Sequence, residues 1–172
     1  MDESKLESLL KAYVQRWENA LVDGPPSLRD EFIPSLGSPP NSTDDVDRLQ
    51  QRLGLDLPSD LTLYLVGPRV DVELQGAGLT IPGNVDLEAW ELQPRNESFN
   101  ALGFAQCGWN NMGDHVLLDL RARSSGDCCQ VLIAAHDVLF EEHTVENATV
   151  ARFRSFEELI ETVCLDRDFR YE

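Results

Sequence analysis

The sequence lacks the long apolar runs of membrane proteins. It contains no stretch of about 18 apolar residues, the length needed to cross a bilayer as a helix. Its opening Asp2 and Glu3 have the wrong charge for a signal or transit peptide, which carries basic residues near its start. These features predict a soluble protein that stays in the cytoplasm and does not bind membranes.

Basic residues are scarce. The chain has 14 Lys and Arg against 31 Asp and Glu, so its formal net charge is -17 at pH 7. We therefore expect no nucleic-acid ligand, because phosphate contacts need Lys or Arg and a negative surface repels polyanions over about 8 to 10 Å at physiological salt. A partner with a basic surface fits this charge, although acidity that serves solubility alone fits it equally well.

Cysteine and histidine are also few, with four Cys and three His in 172 residues. The cysteines match neither a disulfide framework nor a CxxC pair, and the histidines match no compact ligand set such as HExxH. No GxSxG elbow and no phosphate-binding glycine loop is present. We therefore predict no enzyme activity, metal site or cofactor, while a hydrolase that uses paired carboxylates stays open as an alternative.

Apolar residues repeat with helical spacing through the first 21 positions and predict an amphipathic N-terminal helix. Pro25 and Pro26 end it. Its apolar face is expected to pack on the same chain, although a dimerising or partner-binding role is an alternative, so both monomer and homodimer remain open.

Residues 24–43 are rich in Pro, Ser and Gly and predict a connecting arm. We accordingly divide the chain into residues 1–43 and residues 44–172.

The second segment carries signals for helices first, then strands, then one more helix. Ser42 or Thr43 caps a helix that ends at Gly54, and a short helix follows Pro58. Ser155 and Glu158 form a capping box for the last helix. Alternating patterns predict strands over residues 70–74, 115–120, 130–135 and 138–142. This order predicts an α+β domain, an antiparallel sheet with helices packed on one side.

Three segments carry short motifs. Leu53 to Asp60 reads Leu-Gly-Leu-Asp-Leu-Pro-Ser-Asp, Gly113 to Leu120 is a Gly-Asp step into a predicted strand that ends in Leu-Asp-Leu, and Val150 to Leu159 ends in Ser-Phe-Glu-Glu-Leu. In this order, they resemble the LGxxLPxD signature, the GD step with its LDL strand, and the strand with its SFEEL-like helix of the SUKH superfamily of Smi/Knr-type immunity and cell-wall regulatory proteins. Gly67 to Arg69 departs from the family's usual Asn-Gly or Gly-Gly turn, and the first 43 residues have no obvious counterpart.

The resemblance implies an immunity protein that binds and neutralises a cognate secreted bacterial toxin, with no catalytic residues to carry over. The acidic balance fits a toxin with a basic cleft, such as a nuclease, whose active site the protein would cover. An intracellular protein-binding scaffold is the alternative, because other family members act in that way. The residues that we expect to contact the partner are Trp109, Asp114, Glu141 and Glu142. Trp109 leads because an aromatic among Asn and Gly tends to be exposed, although a role as a core anchor is an equal alternative.

Overall fold

The computed structural model describes residues 1–37, 41–54, 56–71, 73–81, 99, 101–124, 128–142 and 144–167, with the backbone alone for 28–30, 53, 122–124, 128 and 140–142. Its helices are α1 Glu3–Ala20, α2 Pro26–Phe32, α3 Thr43–Leu53, α4 Ser59–Val66, α5 His136–Glu142, α6 Val145–Ala148 and α7 Phe156–Leu165. Its strands are β1 Leu36–Gly37, β2 Arg69–Val70, β3 Leu74–Gly76, β4 Leu79–Ile81, β5 Phe104–Asn110, β6 His115–Ser124, β7 Cys128–Ala134 and β8 Thr149–Phe153.

In the described part of the chain, the main sheet has six strands in the order β3-β4-β5-β6-β7-β8, and every neighbouring pair is antiparallel. Each strand thus pairs with the strand before it in the chain, which makes the sheet a meander. A separate two-stranded sheet joins β1 to β2. Helices α1 and α7 pack together, and α7 lies against β3 and β7. The predicted α+β class, with an N-terminal helix and helices packed on an antiparallel sheet, is confirmed.

The two faces of the sheet bury different clusters. Along β6, Val116 and Leu118 belong to the larger core, whereas Leu117 between them belongs to the smaller one. The larger core also holds Leu6 and Leu10 of α1, which are fully buried. The smaller cluster lies under α5 and α6 and includes Phe99, Phe104, Leu132 and Val145. Most of the apolar helical surface therefore covers one face.

Local sequence signals explain where the helices begin and end. The Ser42 hydroxyl accepts from the Asp45 amide and the Asp45 carboxylate accepts from the Ser42 amide, so α3 begins with a capping box. It ends at Gly54, which has a φ of 68° that glycine adopts without strain. Ser155 caps α7, but Glu158 bonds the Arg154 amide instead of completing the predicted box.

The predicted strand over residues 138–142 is wrong, because this segment lies in helix α5. The apolar residues of this segment are compatible with a strand or with a helix. The helix is favoured by a hydrogen bond to a residue that lies far away in sequence. The Asp114 carboxylate accepts from the His136 amide at 3.0 Å and so satisfies the first residue of a helix. Val138 and Leu139 then pack on the smaller cluster.

The predicted arm pairs with the rest of the chain in its described residues. It contains α2 and strand β1, whose Leu36 pairs with Val70. The Ser35 amide and hydroxyl both donate to the Asp71 carboxylate, at 2.9 and 2.7 Å. The boundary at residue 43 stays a prediction. Over the described ranges, no helix is both long enough and apolar enough to span a bilayer.

Candidate functional site

The hairpin that joins β5 to β6 carries two exposed apolar side chains. Trp109 is 37% exposed and Met112 is 73% exposed, the latter at the tip of the hairpin. Trp109 lies in the ladder, opposite Thr80 of β4 and His115 of β6. It is therefore held by strands on both sides while part of its ring faces solvent. An exposed tryptophan on a rigid strand is the kind of residue that anchors protein interfaces.

Asn110 fixes the shape of the hairpin tip. Its side-chain oxygen accepts from the Met112 amide at 3.0 Å and from the Asp114 amide at 2.8 Å, and its side-chain nitrogen donates to the Asp114 carboxylate at 2.9 Å. Gly113 has a φ of 88°, in the left-handed region, and so closes the turn. The Asn111 amide bonds the Gly78 carbonyl at 3.0 Å. Met112 is thus presented on an ordered turn.

Asp114 connects the hairpin to helix α5. It is only 6% exposed, and besides Asn110 its carboxylate binds the backbone amide and the ring Nδ1 of His136, each at 3.0 Å. Burial raises the pKa of the Asp114 carboxyl, but the hydrogen bonds from His136 and Asn110 outweigh that effect, and the pKa is lowered overall. The observed contacts of this carboxylate are internal.

The four predicted contact residues fall into two groups. Trp109 and Asp114 lie on the same hairpin, and Asp114 holds the first residue of α5. Glu141 and Glu142 are the last residues of that helix, and their side chains lie outside the described residues. Their role as partner contacts stays a prediction. Met112 and Asn110 did not figure in the sequence prediction, although an Asn-Asn-Met-Gly-Asp run is a turn signal that could have indicated both.

The lowered pKa of Asp114 leads to a pH-dependent prediction. A carboxylate whose pKa is lower in the folded than in the unfolded state stabilises the fold above its unfolded pKa of about 3.9, and this contribution disappears as the pH falls through the folded value. We expect Asp114→Asn to lower the free energy of unfolding by about 1 to 2 kcal/mol at pH 7. The difference from the wild type should shrink towards pH 3. Urea titrations of both proteins at pH 7, 5 and 3 measure it, and a constant difference would contradict the assigned cause.

Seven of the 14 Lys and Arg residues of the chain form described ion pairs with its own acids. Ion pairs with Asp or Glu hold Lys5, Lys11, Arg16, Arg48, Arg121, Arg154 and Arg167. Exposed acidic residues are spread over several elements and include Glu3, Glu18, Asp23, Glu31, Asp47 and Asp137. The net charge of -17 is therefore presented to solvent mainly by carboxylates. Such a surface attracts a basic partner over a Debye length.

Asp60, the last residue of the LGxxLPxD-like segment, has a structural task. It is 2% exposed, and its carboxylate accepts from the Glu157 amide in the first turn of α7 at 3.0 Å. A carboxylate at this position satisfies an amide that the helix itself leaves unbonded and interacts favourably with the helix dipole. Asp60 thereby links α4 to α7 across 97 positions of sequence.

A shallow groove of about 380 Å³ lies between α1, the turn from β3 to β4, and the tip of the β5–β6 hairpin. Trp17 and Ala20 supply its apolar wall, and Arg16 and Asp166 supply its charges. These two charged groups are 3.7 Å apart and offset each other. The groove is therefore no selective site for an ion. Among the described residues, no group of three or more His, Cys, Asp or Glu could hold a metal ion.

Three comparisons with known proteins were made. Neither a scan against protein-family models, nor a search of the curated proteins, nor a search of the solved structures found a match.

Proposed function

We propose that this protein is an immunity protein that acts in the bacterial cytoplasm by binding a cognate secreted toxin and covering its active site. The observation that carries the proposal is the β5–β6 hairpin, which presents Trp109 and Met112 to solvent on a fixed turn. The backbone of a fixed turn loses little conformational entropy on binding, and a partly exposed tryptophan supplies a large apolar contact. Support for the toxin as the partner comes from the sequence resemblance to SUKH proteins.

Charge supports a basic partner for this hairpin. The surface carries excess carboxylates, so a toxin with a basic substrate cleft, for example a nuclease, would be attracted before any apolar contact forms. In this proposal charge accelerates association, while Trp109 and Met112 slow dissociation. The two contributions separate experimentally, because salt weakens the first and leaves most of the second.

Co-expression with the toxin candidate encoded beside this gene tests the proposal. We expect the wild-type protein to rescue growth and to co-purify with the toxin. Replacing both Trp109 and Met112 with alanine should weaken binding by about 100-fold, on the scale of a pair of interface anchors. Leu102→Ala is the matched control, because Leu102 is 51% exposed and precedes the opposite end of β5. Its affinity should stay within about twofold of the wild type.

The outcomes distinguish the alternatives. Absence of both rescue and complex formation contradicts the immunity function, and binding without rescue favours a protein-binding scaffold. If Leu102→Ala weakens binding as much as the hairpin variant, the hairpin is not the contact surface. If affinity is unchanged between 50 and 500 mM salt, charge has no part in recognition. Hydrolytic activity that is lost with one carboxylate, while binding persists, would instead indicate an enzyme.

A further inference from the structure

The two methionines of the chain, Met1 and Met112, lie in different surroundings. Met1 is partly buried and packs against the larger core. Met112 is 73% exposed, more than any other large apolar side chain among the described residues. Peroxides convert an accessible thioether to a sulfoxide, which turns a flexible apolar side chain into a polar one. Of the two thioethers, that of Met112 is the one open to such an oxidant.

The thiols of the described cysteines are shielded from the same reaction. Cys107, Cys129 and Cys164 are all buried. Burial raises the pKa of the Cys107 thiol and raises the pKa of the Cys164 thiol to about 12. A thiol with a raised pKa forms little thiolate, which is the form that attacks an oxidant. A thioether has no proton to lose, so the reaction at Met112 needs no ionisation.

The hairpin tip does not depend on the Met112 side chain for its shape. The Met112 amide donates to the Asn110 side-chain oxygen at 3.0 Å, and the Asn111 amide donates to the Gly78 carbonyl at 3.0 Å. Gly113, with a φ of 88°, closes the turn. Met112 belongs to neither core cluster of the described residues. An oxygen added to its sulfur therefore changes the surface of the hairpin and leaves the packing of the fold intact.

We propose that Met112 is a site of reversible oxidation by peroxides, which switches the hairpin from an apolar, partner-binding surface to a polar one. The O–O bond of the peroxide breaks, one oxygen bonds to Sδ of Met112 and the other leaves as water, so the sulfur loses two electrons that the peroxide gains. Methionine sulfoxide reductases reverse the change, with two thiols forming a disulfide and the oxygen leaving as water. In an apolar contact the sulfoxide oxygen would be an acceptor without a donor. The loss of toxin binding rests on the proposed function, whereas the site of oxidation does not.

Peptide mass spectrometry after treatment of the folded, full-length protein with hydrogen peroxide locates the oxidation without any partner. We expect Met112 to gain one oxygen about 5-fold faster than Met1, because susceptibility follows exposure. The urea midpoint of the oxidised protein should equal that of the untreated protein. Equal rates at the two methionines would overturn the assigned site. A lower midpoint would overturn a change confined to the surface.

Affinity for the toxin candidate encoded beside this gene measures the consequence. Peroxide should weaken binding of the wild type by about 10-fold, the effect of one unpaired polar group, and the reductases should restore it. Met112→Leu is the matched control, because it keeps an apolar side chain of similar volume and all four cysteines but has no thioether at this position. Its affinity should match that of the untreated wild type and should not respond to peroxide.

The outcomes separate the oxidation from the toxin proposal. Unchanged affinity of wild-type protein that is oxidised at Met112 would overturn the switch, and so would an equal loss of affinity in Met112→Leu, since another residue would then be responsible. Absence of toxin binding before any oxidation contradicts the proposed function and with it the effect on that partner. The mass-spectrometric comparison of Met112 with Met1 still decides the oxidation site in that case.

Discussion

Replacing Asp60 with alanine is expected to lower the free energy of unfolding by about 3 kcal/mol. The carboxylate is 2% exposed and accepts from the Glu157 amide at 3.0 Å and from the Leu61 amide at 3.0 Å. Alanine would leave the amide at the start of α7 without an acceptor and remove a negative charge from the helix N-terminus. Urea unfolding followed by far-ultraviolet circular dichroism at pH 7 measures the difference.

Two further variants separate the contribution of this bond from that of charge in general. Asp60→Asn keeps one acceptor oxygen and should lose about half as much stability. Asp23→Ala removes an exposed carboxylate near the end of α1 and should change stability by less than about 0.5 kcal/mol. If Asp60→Ala unfolds at the same urea concentration as Asp23→Ala, the link from α4 to α7 contributes nothing. A change in the urea slope would point instead to an altered unfolded state.

Sequence patterns predicted those elements whose signals lie within the element itself. Apolar periodicity predicted helix α1, and the caps Ser42 and Gly54 predicted helix α3. Strands β4 and β5 were not predicted. The first is three residues long, and the second contains Gly108 and a bulge between Gln106 and Gly108, so neither gives a clear alternating pattern. Their positions depend on pairing with neighbours.

In the candidate site too, local sequence signals predicted some features, whereas contacts between distant residues could not be predicted. The surroundings of Trp109, rich in Asn and Gly, predicted an aromatic in a loop, whereas Trp109 lies in strand β5 and is 37% exposed. Asp114 could not be assigned in this way, because its partner His136 lies 22 positions away and on another element. Asp60 was recognised only as part of a motif, and its bond to Glu157 depends on how α4 and α7 meet. Long-range contacts of this kind carry no local signal.

Leu10→Ala is expected to lower the free energy of unfolding by about 3 kcal/mol, the cost of a large cavity in a packed core. Leu10 is 0% exposed and belongs to the same cluster as Val163 of α7 and Leu118 of β6. This side chain is therefore packed as deeply as those of the sheet. Chemical denaturation followed by tryptophan fluorescence, with Trp17 as a reporter on α1 itself, measures the loss.

The shape of that transition matters as much as its midpoint. Because α1 shares one apolar core with the sheet, we expect Leu10→Ala to unfold in a single step in which fluorescence and circular dichroism coincide. Val22→Ala, at a residue that is 58% exposed just beyond α1, is the control and should leave the midpoint nearly unchanged. An early separate loss of helix signal, with the sheet intact, would show that residues 1–43 fold as an independent unit. A single shifted transition would instead make α1 a stabilising part of the sheet domain, consistent with the hydrogen bonds that join Tyr13 and Arg16 to the backbone of Glu73 and Gln75.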